Sequence, residues 1–465
     1  MRRLSLLLAA STTVLLLGAS LNACMNLDAP TACQTSGRCE DAASDVVVDS
    51  GTDSGIDALP DVGTETSESG VPCGPSDECK TGDTRTVVGS CPAVGDVKQQ
   101  LCDACKWALA ACVPKKGWRP MAAPPSGFAG RSEHAGAWTG TDLFVYGGIG
   151  TSSGLNTGAR YEFSTDTWQS LPAAATGAPA GRSAGAWTGK EFFVWSDDPT
   201  GALSANRFAR YDVAGSAWKS VAAPGTALPY RYYAATVFAS TTSEVLIWSG
   251  FDGSKCRSDG ASYNPATDAW TALPTAPIDP RANMVHVWTG TELLVWGGDC
   301  DGIKYADGAR YNPSTKVWTK LPAAPVELEP RRYANFAFSG SMLFVYGGWD
   351  GGFNYYNDGA LYTLGGTWSL VPKLETTVLP GADRFGASMW GHDGSFWVWS
   401  GSSGGGTRRP GGARYSGSSW SAMDITAEPS PRDAAVTAWT GKSSIVWGGM
   451  GSGATRLADG AIFTP

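Results

Sequence analysis

Tryptophan returns at a fixed interval along most of the chain. Trp118, Trp168, Trp218, Trp270, Trp318, Trp368 and Trp420 are separated by 50, 50, 52, 48, 50 and 52 residues. A second aromatic series, Trp138, Trp187, Phe238, Trp288, Phe338, Trp390 and Trp439, keeps the same period, and a third runs Tyr161, Tyr211, Tyr263, Tyr311, Tyr362, Tyr415 and Phe463. A unit of roughly 50 residues is too small to bury its own apolar surface, so repeated units must pack on one another. The composition agrees: 60 glycines and 20 tryptophans among 465 residues, with only 17% charged, exclude a helical bundle, a coiled coil or general disorder.

Each unit reads as four short strands. The first is small, as in Ala135-Gly136-Ala137-Trp138, and suits an innermost position where units crowd around an axis. The second is continuously apolar, as in Leu293-Leu294-Val295-Trp296, as a strand buried on both faces requires. It ends in Gly-Gly or Ser-Gly, which allows backbone geometry that a Cβ forbids. The third carries the Tyr and the fourth the Trp, with turns such as Asn312-Pro313-Ser314-Thr315 between them. The last unit ends at Pro465 without a fourth strand, and Trp118 has no first three strands ahead of it. The strand around Trp118 is therefore expected to complete the seventh unit and close a ring, hiding sheet edges that invite aggregation.

A di-glycine after a strand, then a Tyr, then a Trp about seven residues on, resembles the kelch motif of the galactose oxidase/kelch-like propellers. The resemblance covers residues 113–465 and implies an all-β, seven-bladed β-propeller. Ahead of it, three segments are expected. Residues 1–23 read as a signal peptide, Met1-Arg2-Arg3 followed by an apolar run. Leu21-Asn22-Ala23-Cys24 resembles the bacterial lipobox, which implies lipidation at Cys24, a membrane anchor through it, and export to the cell envelope, the outer membrane being favoured by the absence of Asp at position 25. Residues 24–72 form an acidic flexible tether with ten acids against Arg38. Residues 73–112 form a small cysteine-rich module. With Cys24 set aside, Cys33, Cys39, Cys73, Cys79, Cys91, Cys102, Cys105, Cys112, Cys256 and Cys300 are an even number of disulfide candidates for an oxidising compartment. Their connectivity stays open, except that Cys256 and Cys300 follow equivalent positions of adjacent blades and suit a staple between blades 3 and 4.

In kelch relatives ligands meet one axial face, formed by the loops after the second strand and the segments joining blades. Two groups of residues are expected there. Arg131, Arg182, Arg231, Arg281, Arg331, Arg384 and Arg432 recur once per blade just ahead of the innermost strand, a ring of anion-binding guanidinium groups or a part of the repeat paired internally. Trp349, Phe353, Tyr355 and Tyr356 in blade 5 stand outside the repeat frame beside Asp and Asn, a surface for sugar faces or peptide side chains. Blade 2 departs from the repeat with Ser196-Asp197 in place of Gly-Gly. The three histidines fall on different blades, so no metal site, cofactor or catalytic set is expected, and a net charge of −8 speaks against nucleic acid. The expected role is non-catalytic binding of a protein or glycan ligand. A carbohydrate-active enzyme on the same face, sialate-mutarotase-like or galactose-oxidase-like, and a structural envelope protein are the alternatives.

Overall fold

The computed structural model describes residues 84–87, 96–103, 106–107, 111–174, 177–197 and 206–465. The signal peptide, Cys24, the tether, and Cys33, Cys39, Cys73, Cys79, Cys91 and Cys105 lie outside the described residues. The chain divides into two units, one of Asp28–Lys115 and one running from Lys116 to Pro465. In the smaller unit the strand Asp96–Asp103 is central and pairs antiparallel with Thr84–Thr86, Lys106–Trp107 and Ala111–Pro114. Cys102 within it is disulfide-bonded.

The larger unit is a seven-bladed β-propeller. Its innermost strands are Ala135–Trp138, Ser183–Trp187, Ala235–Ala239, Val285–Trp288, Asn335–Ser339, Ser388–His392 and Val436–Trp439, which define blades 1 to 7. They neighbour one another in a closed circle, blade 7 beside blade 1. Every blade is a four-stranded antiparallel sheet, in chain order from the axis outward for blades 1 to 6. In blade 7 the outermost strand is Gly117–Pro120, pairing with Gly460–Thr464 so that Trp118 faces Phe463. The strand Gly117–Pro120 thus closes the ring.

Packing explains the repeat. Most second strands are buried along their whole length, as in Leu293–Trp296 and Ser395–Trp399. Their side chains fill cores between blades: Val237, Leu246 and Trp248 of blade 3 meet Leu293, Val295 and Tyr311 of blade 4. The innermost strands are small because the next blade is close; a Cβ on Gly136 would lie 2.5 Å from Val436 of blade 7. The outer tryptophans tie blades together. Trp218 and Trp318 donate Nε1–H to the carbonyls of Pro172 and Pro274 in the preceding blade, at 2.9 and 3.0 Å. Trp168 does the same to Ala122, just past the closing strand.

One expectation of the repeat frame needs correcting. Trp138, Trp187, Trp288 and Phe338 pair with second-strand residues whose own partners are the repeat tyrosines. In blade 6 that position is Gly391, opposite Phe396, and Trp390 sits one residue earlier. A one-residue shift in a strand changes faces, so Trp390 instead packs with Trp118, Trp397 and Trp399 toward blade 7. The disulfide between Cys256 and Cys300, with Cα atoms 6.0 Å apart, joins blades 3 and 4 as the spacing suggested.

Candidate functional site at the axial mouth

Alternating strand directions place the loops after the second strands and the blade-joining segments at one end of the propeller. In six blades the segment ahead of the innermost strand bridges to its blade's own loop, as Arg332 does to Trp349 and Tyr232 to Phe251. The conformation depends on the glycine pair: Gly148 has φ +90°, and a Cβ there would lie 2.7 Å from the Ser132 carbonyl.

Six of the seven expected arginines are not at the mouth. Arg131, Arg231, Arg281, Arg331, Arg384 and Arg432 are 0–1% exposed. Each turns back into its own blade. Arg281 Nη1 donates to the Gly297 carbonyl at 3.1 Å and to Asp307 Oδ1 at 2.8 Å. Arg231, Arg331 and Arg432 likewise pair with Asp259, Asp358 and Asp459. Arg131 bonds the carbonyls of Gly147 and Thr157, and Arg384 those of Ser400 and Gly411, with no carboxylate in ion-pair reach among the described residues. Burial pushes their pKa values down to about 9 and about 10. Aromatic rings cover several of the set: Tyr305 lies 4.2 Å from Arg281 and Tyr356 4.1 Å from Arg331. These arginines satisfy the carbonyls at the glycine turns and hold the loops to the strands. The same contact gives Tyr356 a structural place, its hydroxyl bonded to Glu329 at 3.0 Å.

Blade 2 breaks the pattern. The backbone bond that Gly250 N makes to the Arg281 carbonyl is made by Gly148 N to Gly181, so a glycine holds the arginine position. Arg182 is displaced one residue onward, and its role differs. Its Nε lies 2.8 Å from Glu133 Oε2 of blade 1, and its Nη1 2.9 Å from Asp197 Oδ2 of its own blade. The irregular Ser196-Asp197 pair thus supplies an arginine partner.

Around this ion pair the mouth is built from residues two positions after the structural arginines. Glu133, Tyr233, Asn283 and Tyr333 take φ of +54, +56, +55 and +53°. The left-handed turn directs each toward the axis. The Tyr233 hydroxyl lies 3.5 Å from Glu133 Oε2. Tyr333 feels the charges of Glu133 and Arg182 across the opening. Two further knots join adjacent blades. Asp299 of blade 4 accepts from Asn283 Nδ2 and from Arg332 Nη1 of blade 5, both at 2.8 Å. Asp433 of blade 7 meets Arg408 of blade 6 at 3.1 Å. Arg456 acts electrostatically on both Glu133 and Asp433. Four arginines thus face four carboxylates, and the mouth is polar but nearly neutral.

Burial sets the protonation here. It raises the Glu133 pKa against the pull of Arg182, and pushes Asp433 up to about 6 against the pull of Arg408. Burial likewise raises the tyrosine hydroxyls of Tyr233 and Tyr333 far from ionisation. Neutral tyrosine hydroxyls donate as well as accept hydrogen bonds. A cleft between blades 2 and 3, lined by Arg182, Trp195, Asp197, Tyr232 and Tyr233, opens beside them.

The blade 5 loop separates its four expected aromatics. Trp349 is 9% exposed and lies under Arg332 at 4.2 Å. Tyr355 stacks on it at 5.7 Å and 5°, and Phe385 of blade 6 stacks on both. Phe353 alone projects, 98% exposed. His134, His286 and His392 remain apart, the first against Trp447 of blade 7 and the last beside Asp393. Sequence reasoning marked Ser196-Asp197 only as a departure from the repeat, and passed over Glu133, Tyr233, Asn283, Tyr333 and Asp433. The signal was present for four of them, since positions 133, 233, 283 and 333 are spaced by whole multiples of 50.

The comparisons with known proteins agree with this architecture. Residues 184–401 match the family model described as KLHDC2/KLHL20/DRC7 Kelch-repeats domain. One solved structure, "Structure of YjhT", aligns with 74% of this chain and 97% of its own at 13% identity and a TM-score of 0.50, a likeness of fold alone. No curated protein matches the chain. The larger unit is thus a seven-bladed β-propeller, within which residues 184–401 are similar to kelch repeats.

Proposed function

We propose that this is a lipid-anchored protein of the cell envelope whose propeller binds a neutral, hydroxyl-rich ligand, a glycan, at the axial mouth. The observation that carries the reading is the cancellation of charge there. Arg182 is held between Glu133 and Asp197, Arg332 by Asp299, and Arg408 by Asp433. A strongly anionic ligand would compete with carboxylates already in place. Sugar hydroxyls can instead insert among donors and acceptors of both kinds, and the adjacent Tyr232 and Tyr233 offer ring surface. Anchoring rests on Leu21-Asn22-Ala23-Cys24 and display on the acidic tether.

The binding test is a thermal-shift screen of the purified protein against neutral saccharides, acidic saccharides and peptides. A ligand at 100 times its Kd stabilises by about 2.7 kcal/mol, enough to read as a raised midpoint. The expected result is a shift with neutral saccharides that is lost in Tyr233→Phe/Tyr333→Phe. A shift only with peptides would replace the glycan by a protein ligand. For the anchor, metabolic labelling with palmitate should mark the wild type and not Cys24→Ser; equal labelling of both would remove Cys24 from the account.

One observation favours catalysis at the same place. Glu133 and Asp433 are both pushed toward the neutral form in a buried setting, as a proton donor requires. This reading expects a bound saccharide to be converted, with conversion lost and binding kept in Glu133→Gln.

A further inference from the structure

The loop Trp349-Asp350-Gly351-Gly352-Phe353-Asn354 is not a loose tip. Asp350 Oδ1 accepts from the backbone N–H of Gly352 at 2.6 Å and of Asn354 at 3.2 Å, and Asp350 Oδ2 accepts from Asn354 Nδ2 at 2.7 Å. Trp349 Nε1 donates to the Gly352 carbonyl at 2.9 Å, and Trp349 is itself clamped between Arg332 and Tyr355. A phenyl ring on a loop tied at both sides has little motion left to lose on binding. Yet Phe353 is 98% exposed.

The loop is continuous with the mouth. A Cβ on Gly351 would lie 2.7 Å from Lys304 Cε and 3.7 Å from Arg332 Nε, so the glycine lets the loop settle on both side chains. Arg332 leads through Asp299 to Asn283. Lys304 has no carboxylate in ion-pair reach among the described residues; its ammonium donates to the Gly302 carbonyl of its own hairpin. Flanking Phe353 are therefore Asp350 and Asn354, which bond one another, and Lys304, which lies against Gly351.

Resting on the glycan reading above, we infer that the ligand is an oligosaccharide rather than a single sugar, with one unit in the axial mouth and a further ring laid with its C–H face on Phe353. A protein partner needs about 800 Å² a side around an apolar centre. Here a single aromatic ring stands among polar groups that an apolar cover would strand without partners. One flat ring bordered by hydrogen-bonding groups matches one pyranose, whose C–H face is apolar and whose rim is hydroxyl.

Calorimetric titration with neutral ladders of glucose, mannose, galactose and N-acetylglucosamine, one to four units each, tests the inference. The wild type should bind one ladder about tenfold more tightly once the chain is long enough to reach Phe353. Phe353→Ala should lose that gain while its monosaccharide affinity stays at the wild-type value, and Phe353→Trp should restore it. Phe353 is so exposed that neither variant threatens folding. A ladder flat in length, or Phe353→Ala equal to wild type at every length, overturns the inference and leaves the mouth standing. No binding of any member removes the glycan reading itself.

Discussion

Arg281 and Arg182 belong to one sequence pattern and do different work. Arg281 fills a slot where the carbonyls of Asp279 and Gly297 and the carboxylate of Asp307 all depend on it. Orphaning buried acceptors costs about 1–3 kcal/mol each, so Arg281→Met should lose about 3 kcal/mol or more in urea unfolding. Tyr333→Phe removes only a hydroxyl at the opening and should cost under about 1 kcal/mol. A larger penalty for Tyr333→Phe than for Arg281→Met would reverse the assignment of structural and ligand-facing positions. Asp433 gives a pH signature. Its folded pKa, pushed to about 6, exceeds the ordinary carboxylate value, so the folded chain binds a proton that the unfolded chain holds only at lower pH. Stability contributed through this group is therefore gained as pH falls from about 6 toward 4. Wild type compared with Asp433→Asn should become relatively more stable between pH 7 and pH 4; a difference that is constant with pH would place the Asp433 pKa in the usual range.

Among elements, the closing strand and the interblade staple are the most exposed to test. Gly117–Pro120 supplies the outer edge of blade 7 and buries Trp118 against Trp399 and Phe463. Deleting it leaves the Gly460–Thr464 strand as an open edge, and the expected outcome is aggregation on expression, read as loss of the monomer peak in gel filtration. A soluble monomer of native circular dichroism would show that closure is dispensable. The Cys256–Cys300 bond closes a separation of 44 residues, and Cys256→Ser/Cys300→Ser should lose about 2–4 kcal/mol. The strands, their order, the closure and this staple were all legible in the sequence, because each follows from a period and from burial on both faces. Trp390 was not placed correctly, since spacing alone does not distinguish a register shift of one residue from the strict repeat. Nor was the fate of the arginine ring. Periodicity shows that a residue recurs, but only the carbonyls left over by the glycine turns decide whether it points to solvent or to backbone.

At the scale of the whole molecule, blade repetition supplies a rigid ring and the departures from repetition supply the mouth. Gly181 in place of an arginine frees Arg182, the Ser196-Asp197 pair gives it a partner, and the blade 5 loop raises Phe353. The Ser196-Asp197 pair and the blade 5 loop were visible as irregularities and the displacement of Arg182 was not, and their meeting across blades 1, 2, 3 and 5 depends on ring closure, which brings distant residues to one axis. The most direct measurement is hydroxyl-radical footprinting of the protein with and without saturating neutral oligosaccharide. The account predicts protection of Tyr233, Tyr333 and Phe353, with the turns at the opposite end, such as Thr289-Gly290-Thr291, unchanged. Protection at those opposite turns, or none at Tyr233 and Tyr333 under saturation, would contradict a ligand site at the axial mouth.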